Sequence, residues 1–195
     1  MKKTFLTLIF IFSLLFNSFS QTYIKMNGTY ALFAIPSIGI EVGIAPKVTF
    51  QLDATMSFWN SITIKSKPTI TNRPYVFSQI FPEVRYYFKD KNEGFYTGVH
   101  VGYGMFKLQK YGYGTSHPDW YQYGYIIFTG ATIGYQWKIK EKWLLDLFLG
   151  GGWSKANYEG FDRSNGSSRY DLDSGINYSA QSIPYRGGLM IGYKF

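Results

Sequence analysis

The chain has 195 residues, a formal net charge of +8, no cysteine, 21% aromatic residues, 21 glycines and only 16% charged residues. A length of this order holds one domain with a real core. The missing cysteines exclude disulfides, thiolate chemistry and cysteine–metal sites. High Tyr, Phe and Gly with low charge point to many strands, and away from a helix bundle or a disordered chain.

Residues 1–20 are set apart. Lys2 and Lys3 precede an apolar stretch from Thr4 to Phe16, and Asn17-Ser18-Phe19-Ser20 places small residues before Gln21. The stretch is too short to cross a bilayer as a helix and fits a cleaved secretory signal peptide. The expected domain is then 21–195. Without Lys2 and Lys3 the charge of +8 falls to +6. The basic residues are scattered and the chain is predicted to be exported, so no nucleic-acid partner is expected.

Period-two alternation predicts eight strands, at about 22–34, 37–45, 47–59, 76–88, 94–107, 121–138, 142–157 and 183–195. In the third, Val48, Phe50, Leu52, Ala54, Met56 and Phe58 share one face, with Thr49, Gln51, Asp53, Thr55 and Ser57 on the other. The sixth carries Tyr123, Tyr125, Ile127, Thr129, Ala131, Ile133, Tyr135 and Trp137 on its apolar face. In the seventh, Trp143 and Trp153 stand ten residues apart at the two ends of an apolar stripe. The last strand alternates Leu189, Ile191, Tyr193 and Phe195.

Connections alternate in length. Ala45-Pro46, Lys89–Glu93 and Ile139–Glu141 are short, whereas about 60–75, 108–120 and 158–182 are long and polar. The first long-end connection, near Pro36, looks very short. Even strand number, aromatic bands and uneven connections predict an all-β fold, an eight-stranded antiparallel transmembrane barrel in an up-and-down meander. A soluble lipocalin-type barrel is the rival, with its apolar face turned inward.

Phe81-Pro82-Glu83-Val84-Arg85-Tyr86-Tyr87-Phe88, Gly98-Val99-His100, Gly134-Tyr135-Gln136-Trp137 and the Tyr193-Lys194-Phe195 ending resemble a family of small Gram-negative outer-membrane barrels known only as a domain of unknown function. That family is similar in architecture to the eight-stranded outer-membrane proteins of the A and X type. The resemblance, over about 22–195, implies fold and an outer-membrane location with a periplasmic C-terminus. It implies no reaction, ligand or cofactor. Tyr193 and Phe195 resemble the C-terminal signal read by the barrel-insertion machinery.

If the apolar face meets lipid, Lys25, Glu41, Asp53, Glu83, Arg85, His100, Asp146, Arg186 and Lys194 face the lumen. Charges there must be paired to survive desolvation, so a polar network plugging the lumen is expected. Gly98, Gly102 and Gly104 leave room for large side chains from across the barrel. The expected role is non-enzymatic, structural or surface-interacting, in a monomer surrounded by outer-membrane lipids. One alternative is a lipid-modifying enzyme using His100 with Glu83, although no serine is convincingly placed on the same face near both. Another is a narrow pore. Three loop features read as ordinary loop: His117, the incomplete calcium-like Asp171-Leu172-Asp173-Ser174-Gly175, and Asn165-Gly166-Ser167. Gly150-Gly151-Gly152 reads as strand glycines rather than a phosphate loop. Tyr111, Tyr113, Trp120, Tyr121 and Tyr123 read as an interfacial girdle.

Overall fold

The computed structural model describes residues 22–63, 72–109, 120–162, 164, 166, 168–169 and 176–195. The segment 1–20, His117, Asn165 and Asp171–Gly175 lie outside the described residues.

The fold is an antiparallel all-β meander: β1 (Thr22–Asn27), the single-turn α1 (Gly28–Ala31), β2 (Ser37–Ala45), β3 (Val48–Thr63), β4 (Asn72–Tyr87), β5 (Gly94–Gln109), β6 (Trp120–Lys138), β7 (Trp143–Asp162), β8 (Ser168–Arg169) and β9 (Asn177–Lys194). Each long strand pairs with its neighbours in sequence. In addition β9 pairs with both β7 and β1, with Tyr23 opposite Lys194 and Trp143 opposite Tyr193. The pairings therefore close into a ring of eight long strands. The two-residue β8, a ninth strand that alternation does not predict, attaches to the end of β7.

Two further differences from the sequence pattern have physical causes. The first strand ends at Asn27 rather than near residue 34. The Asn27 side chain accepts hydrogen bonds from the Thr29 and Tyr30 amides at 3.0 and 3.4 Å, capping α1 and turning the chain out of the sheet. At the long-connection end, β3, β5 and β7 run to Thr63, Gln109 and Asp162, and β4 and β9 start at Asn72 and Asn177. These are strand lengths that side-chain alternation misses, because backbone ladders continue where neither face is distinctly apolar.

Burial is inverted relative to a soluble core. Ile38, Phe58, Val99, Ile133, Leu147, Leu149 and Ile191 are exposed, whereas Lys25, Glu41, Glu83, Arg85 and Asp146 are buried inside the ring. In β5 the alternation is unbroken from Gly94 to Gly104, even positions in and odd positions out.

The short-turn end of the ring is sealed. Tyr87, Tyr96, Phe148 and Met190 form an apolar cluster within it. In the β4–β5 turn the Lys91 amide donates to the Pro46 carbonyl at 3.3 Å. Asn92, at φ +61°, is fully buried there. Gly43 leaves the space through which the Lys91 side chain passes.

Candidate functional site

The interior carries two linked groups of charges. Asp146 is the hub of the lower one. Its carboxylate accepts from Lys25 Nζ at 2.8 Å, Arg85 Nη1 at 2.7 Å, Gln136 Nε2 at 3.1 Å and the Tyr96 hydroxyl at 2.7 Å. Glu41 pairs with Lys25 and accepts from Thr49 at 2.5 Å, Tyr87 at 2.6 Å and Gln136 at 3.0 Å. The Arg85 guanidinium also lies over the Tyr96 ring, 4.6 Å from its centre.

Glu83 joins the lower group to the upper one. It accepts from Arg85 Nη2 at 3.2 Å and from Arg186 Nη1 at 2.9 Å, and Arg186 reaches on to Asp53 at 2.5 Å. Gln51 bridges the groups from the other side, accepting from Lys25 at 3.1 Å and donating to Asp53 at 2.6 Å. Arg186 is held between the Phe81 and Phe148 rings, at 4.8 and 5.2 Å. Four carboxylates thus share three cations in the buried set, with neutral donors around them, and Glu83 Oε1, Arg85 Nε and Gln136 Oε1 are left without a hydrogen-bond partner among the described residues.

The predicted inward residues Glu41, Asp53, Glu83, Arg85, Asp146 and Arg186 all lie in this network, together with Lys25. His100 sits opposite Glu83 on the β4–β5 ladder. The hydrogen bonds that the structure gives it run elsewhere: Nδ1 to the Thr132 hydroxyl at 3.0 Å and Nε2 to the Tyr185 hydroxyl at 2.7 Å. Lys194 lies half-exposed at the rim, because it falls on the last rung of β9. Gly98 and Gly102 make room for Glu83 and Phe81, which come from the adjacent β4 and not from across the ring.

Tyr185 is the residue that alternation could not find. Between β7 and β9 the register shifts: Gly150 faces Arg186, yet Gly151 faces Pro184. Tyr185 is the extra residue of this bulge and turns inward beside Arg186. Its ring stacks on Phe81 at 6.1 Å and meets Phe128 at 4.7 Å. The bulge needs bare backbone around it. Gly152 has φ +154°, and a Cβ there would lie 2.6 Å from Gly130 Cα. The signal was the pair Gly150-Gly151-Gly152 and Pro184, too diffuse to place a bulge from sequence.

Above this aromatic floor is a cavity of about 350 Å³ toward the long-connection end. Tyr30, Phe77, Phe106, Phe128, Tyr158 and Tyr185 are among its walls. Of the predicted girdle residues, Tyr123 is exposed, whereas Tyr121 is buried against Phe161, with the Lys107 amine 4.6 Å from its ring centre. Tyr111 and Tyr113 lie outside the described residues. Among the described residues no group of His, Asp and Glu could hold a metal ion, and no helix is long and apolar enough to cross a membrane.

On the outer rim of the short-turn end, Glu93 is paired with Lys89 and, at 3.2 Å, with Lys138. These two ammonium groups hold its carboxyl below the usual carboxylate range, the Lys89 hydrogen bond acting most strongly.

Residues 4–179 match the model of a family described as a protein of unknown function (DUF3575), and the chain belongs to that family. No curated protein and no solved structure matches the chain.

Proposed function

We propose that this member of the family is a monomeric, eight-stranded outer-membrane β-barrel with a plugged lumen and a non-enzymatic, structural or surface-interaction role. The observation that carries this reading is the inverted burial: ion pairs inside, an apolar surface outside. In water that arrangement is costly on both faces; in a bilayer the outer face is solvated by lipid. Ring closure adds support, since a closed ladder leaves no unpaired edge to meet hydrocarbon.

The outward aromatics fall into two bands. Phe88, Phe95, Trp137, Trp143 and Phe195 stand at the short-turn end, and Phe58, Tyr103, Tyr125 and Trp153 nearer the other. Tyr125 to Tyr135 and Trp143 to Trp153 are each ten residues apart. At ~3.3 Å per residue and a tilt of about 40°, that is a height of about 25 Å, the apolar band of an outer-membrane barrel. The short turns and Phe195 then face the periplasm, and the long connections face outward.

Non-enzymatic action is supported by His100, whose two ring nitrogens are taken up by Thr132 and Tyr185 rather than by an acid and a serine. A plugged lumen is supported by the continuous chain of side chains from Lys25 to Arg186.

The chain lacks cysteine, so single cysteines report topology without background. Ser164→Cys should react with a membrane-impermeant maleimide on intact cells. Lys140→Cys should react only after the outer membrane is opened. Labelling of both variants on intact cells, or of neither, would refute the proposed orientation and location.

A further inference from the structure

The short-turn end is dominated by lysine. Lys47, Lys89, Lys91, Lys138, Lys140, Lys142 and Lys194 lie there, on the three tight turns and the end of β9. The opposing side-chain charges at this end are Asp90, Glu93 and Glu141, leaving an excess of four positive charges. No arginine is present in these segments. Lys47, Lys89, Lys138, Lys140 and Lys142 are exposed, and Lys91 and Lys194 are half-exposed.

Their distribution matters more than their number. The three connections at this end join β2 to β3, β4 to β5 and β6 to β7, and the end of β9 lies there against the start of β1. In ring order they are spread around the whole circumference, so the lysines form a girdle rather than a patch, although Lys91 turns in against Gly43, Lys89 and Lys138 are paired with Glu93, and Lys47 donates to the Phe88 carbonyl. Just inside that girdle stand Phe88, Phe95, Trp137, Trp143, Tyr193 and Phe195. The Lys142 amine lies 5.8 Å from the centre of the Tyr193 ring. Tyr87 and Asn92 are fully buried at this mouth.

We infer that this lysine girdle binds the phosphate-bearing headgroups of anionic phospholipids in the leaflet at the short-turn end. The inference rests on the membrane reading above. A compact soluble anion would need converging donors at one point. A circle of point charges at the edge of an aromatic belt instead fits a shell of lipids, each held by an ammonium group that needs no fixed fork geometry.

The test is lipid selectivity of the full chain reconstituted in phosphatidylcholine vesicles, read by electron spin resonance with spin-labelled phosphatidylglycerol and spin-labelled phosphatidylcholine. The expected result is several-fold preferential immobilisation of the phosphatidylglycerol probe at low salt, falling as ionic strength rises. The triple variant Lys138→Gln, Lys140→Gln, Lys142→Gln should lower that preference. Glu141→Lys should raise it, and Lys155→Gln, on β7 beyond Trp153, should leave it unchanged. Equal immobilisation of both probes by the wild type, or an undiminished preference in the triple variant, would overturn the inference. So would binding of a soluble anionic glycan by the same lysines in detergent without any lipid preference. If neither probe is immobilised, the chain is not in the bilayer, and the failure lies with the membrane reading itself.

Discussion

Arg85 and Asp146 meet inside the ring at 2.7 Å although 61 positions separate them in the chain. Arg85 comes from β4 and Asp146 from β7, so the pair spans the interior and ties opposite walls together. Arg85 also touches Glu41 and Glu83, and Asp146 also holds Lys25. Neither residue has water to fall back on, since both are fully buried.

Replacing Arg85 by Met should therefore cost about 3–5 kcal/mol, because three buried carboxylates lose a shared cation. The readout is the temperature at which the folded band on a semi-native gel gives way to the unfolded one. Pairing Arg85→Met with Asp146→Asn should cost less than the sum of the two changes, with a coupling of about 0.5–3 kcal/mol. Strict additivity would mean that the two residues do not act as a unit.

Conductance offers a second check. A lumen crossed by Lys25, Glu41, Arg85 and Asp146 should give no steady single-channel current in planar bilayers. Stable unitary currents from the wild-type chain would establish the narrow-pore alternative.

His100 should behave as a structural residue. His100→Ala deprives Tyr185 and Thr132 of a partner and should lower stability by about 1–2 kcal/mol. The lipid composition of cells carrying the variant should match that of the wild type. A lost lipid modification would establish the enzyme reading instead.

The bulge at Tyr185 should be intolerant of side chains. Gly152→Ala places a Cβ against Gly130 and the Thr129 carbonyl at a backbone angle that alanine avoids. Destabilisation of about 1–3 kcal/mol is expected in the same gel assay. A neutral outcome would show that the β7–β9 ladder can shift register.

Glu93 gives a pH-dependent reporter outside the proposed bilayer. Its carboxyl is held below the ordinary range in the folded state, so its ion pairs stabilise the turn above the unfolded carboxylate pKa. That contribution is lost as pH falls through the folded value. The carboxyl carbon resonance of Glu93 should titrate at lower pH than a free glutamate. The midpoint should move up in Lys89→Gln and, less, in Lys138→Gln.

Much of the ring was legible because its two solvents differ so sharply. Val48 to Phe58 and Gly94 to Gly104 alternate without interruption, and that parity alone puts Asp53 and His100 on the inner face. Parity says nothing about partners. Glu83 and His100 share a rung, yet Glu83 turns to two arginines and His100 to two hydroxyls. It also fails where the count slips. Asn27 ends β1 through a local cap, and the bulge turns Tyr185 in beside Arg186. Both depend on backbone geometry, which a two-residue rhythm does not encode. The neutral members Gln136, Thr132 and Tyr96 had the right parity but no charge to draw attention to them.

The pairing of Tyr23 with Lys194 has a consequence for how the chain is made. The first strand can find its second neighbour only when the last has arrived, so the most distant contact in sequence is also the one that finishes the ring. Until then β1 and the growing end each present an unpaired edge, and the apolar outer surface has nothing to cover it. Closing so long a loop is slow. Successful assembly therefore depends on something shielding those open edges for as long as the final strand is missing.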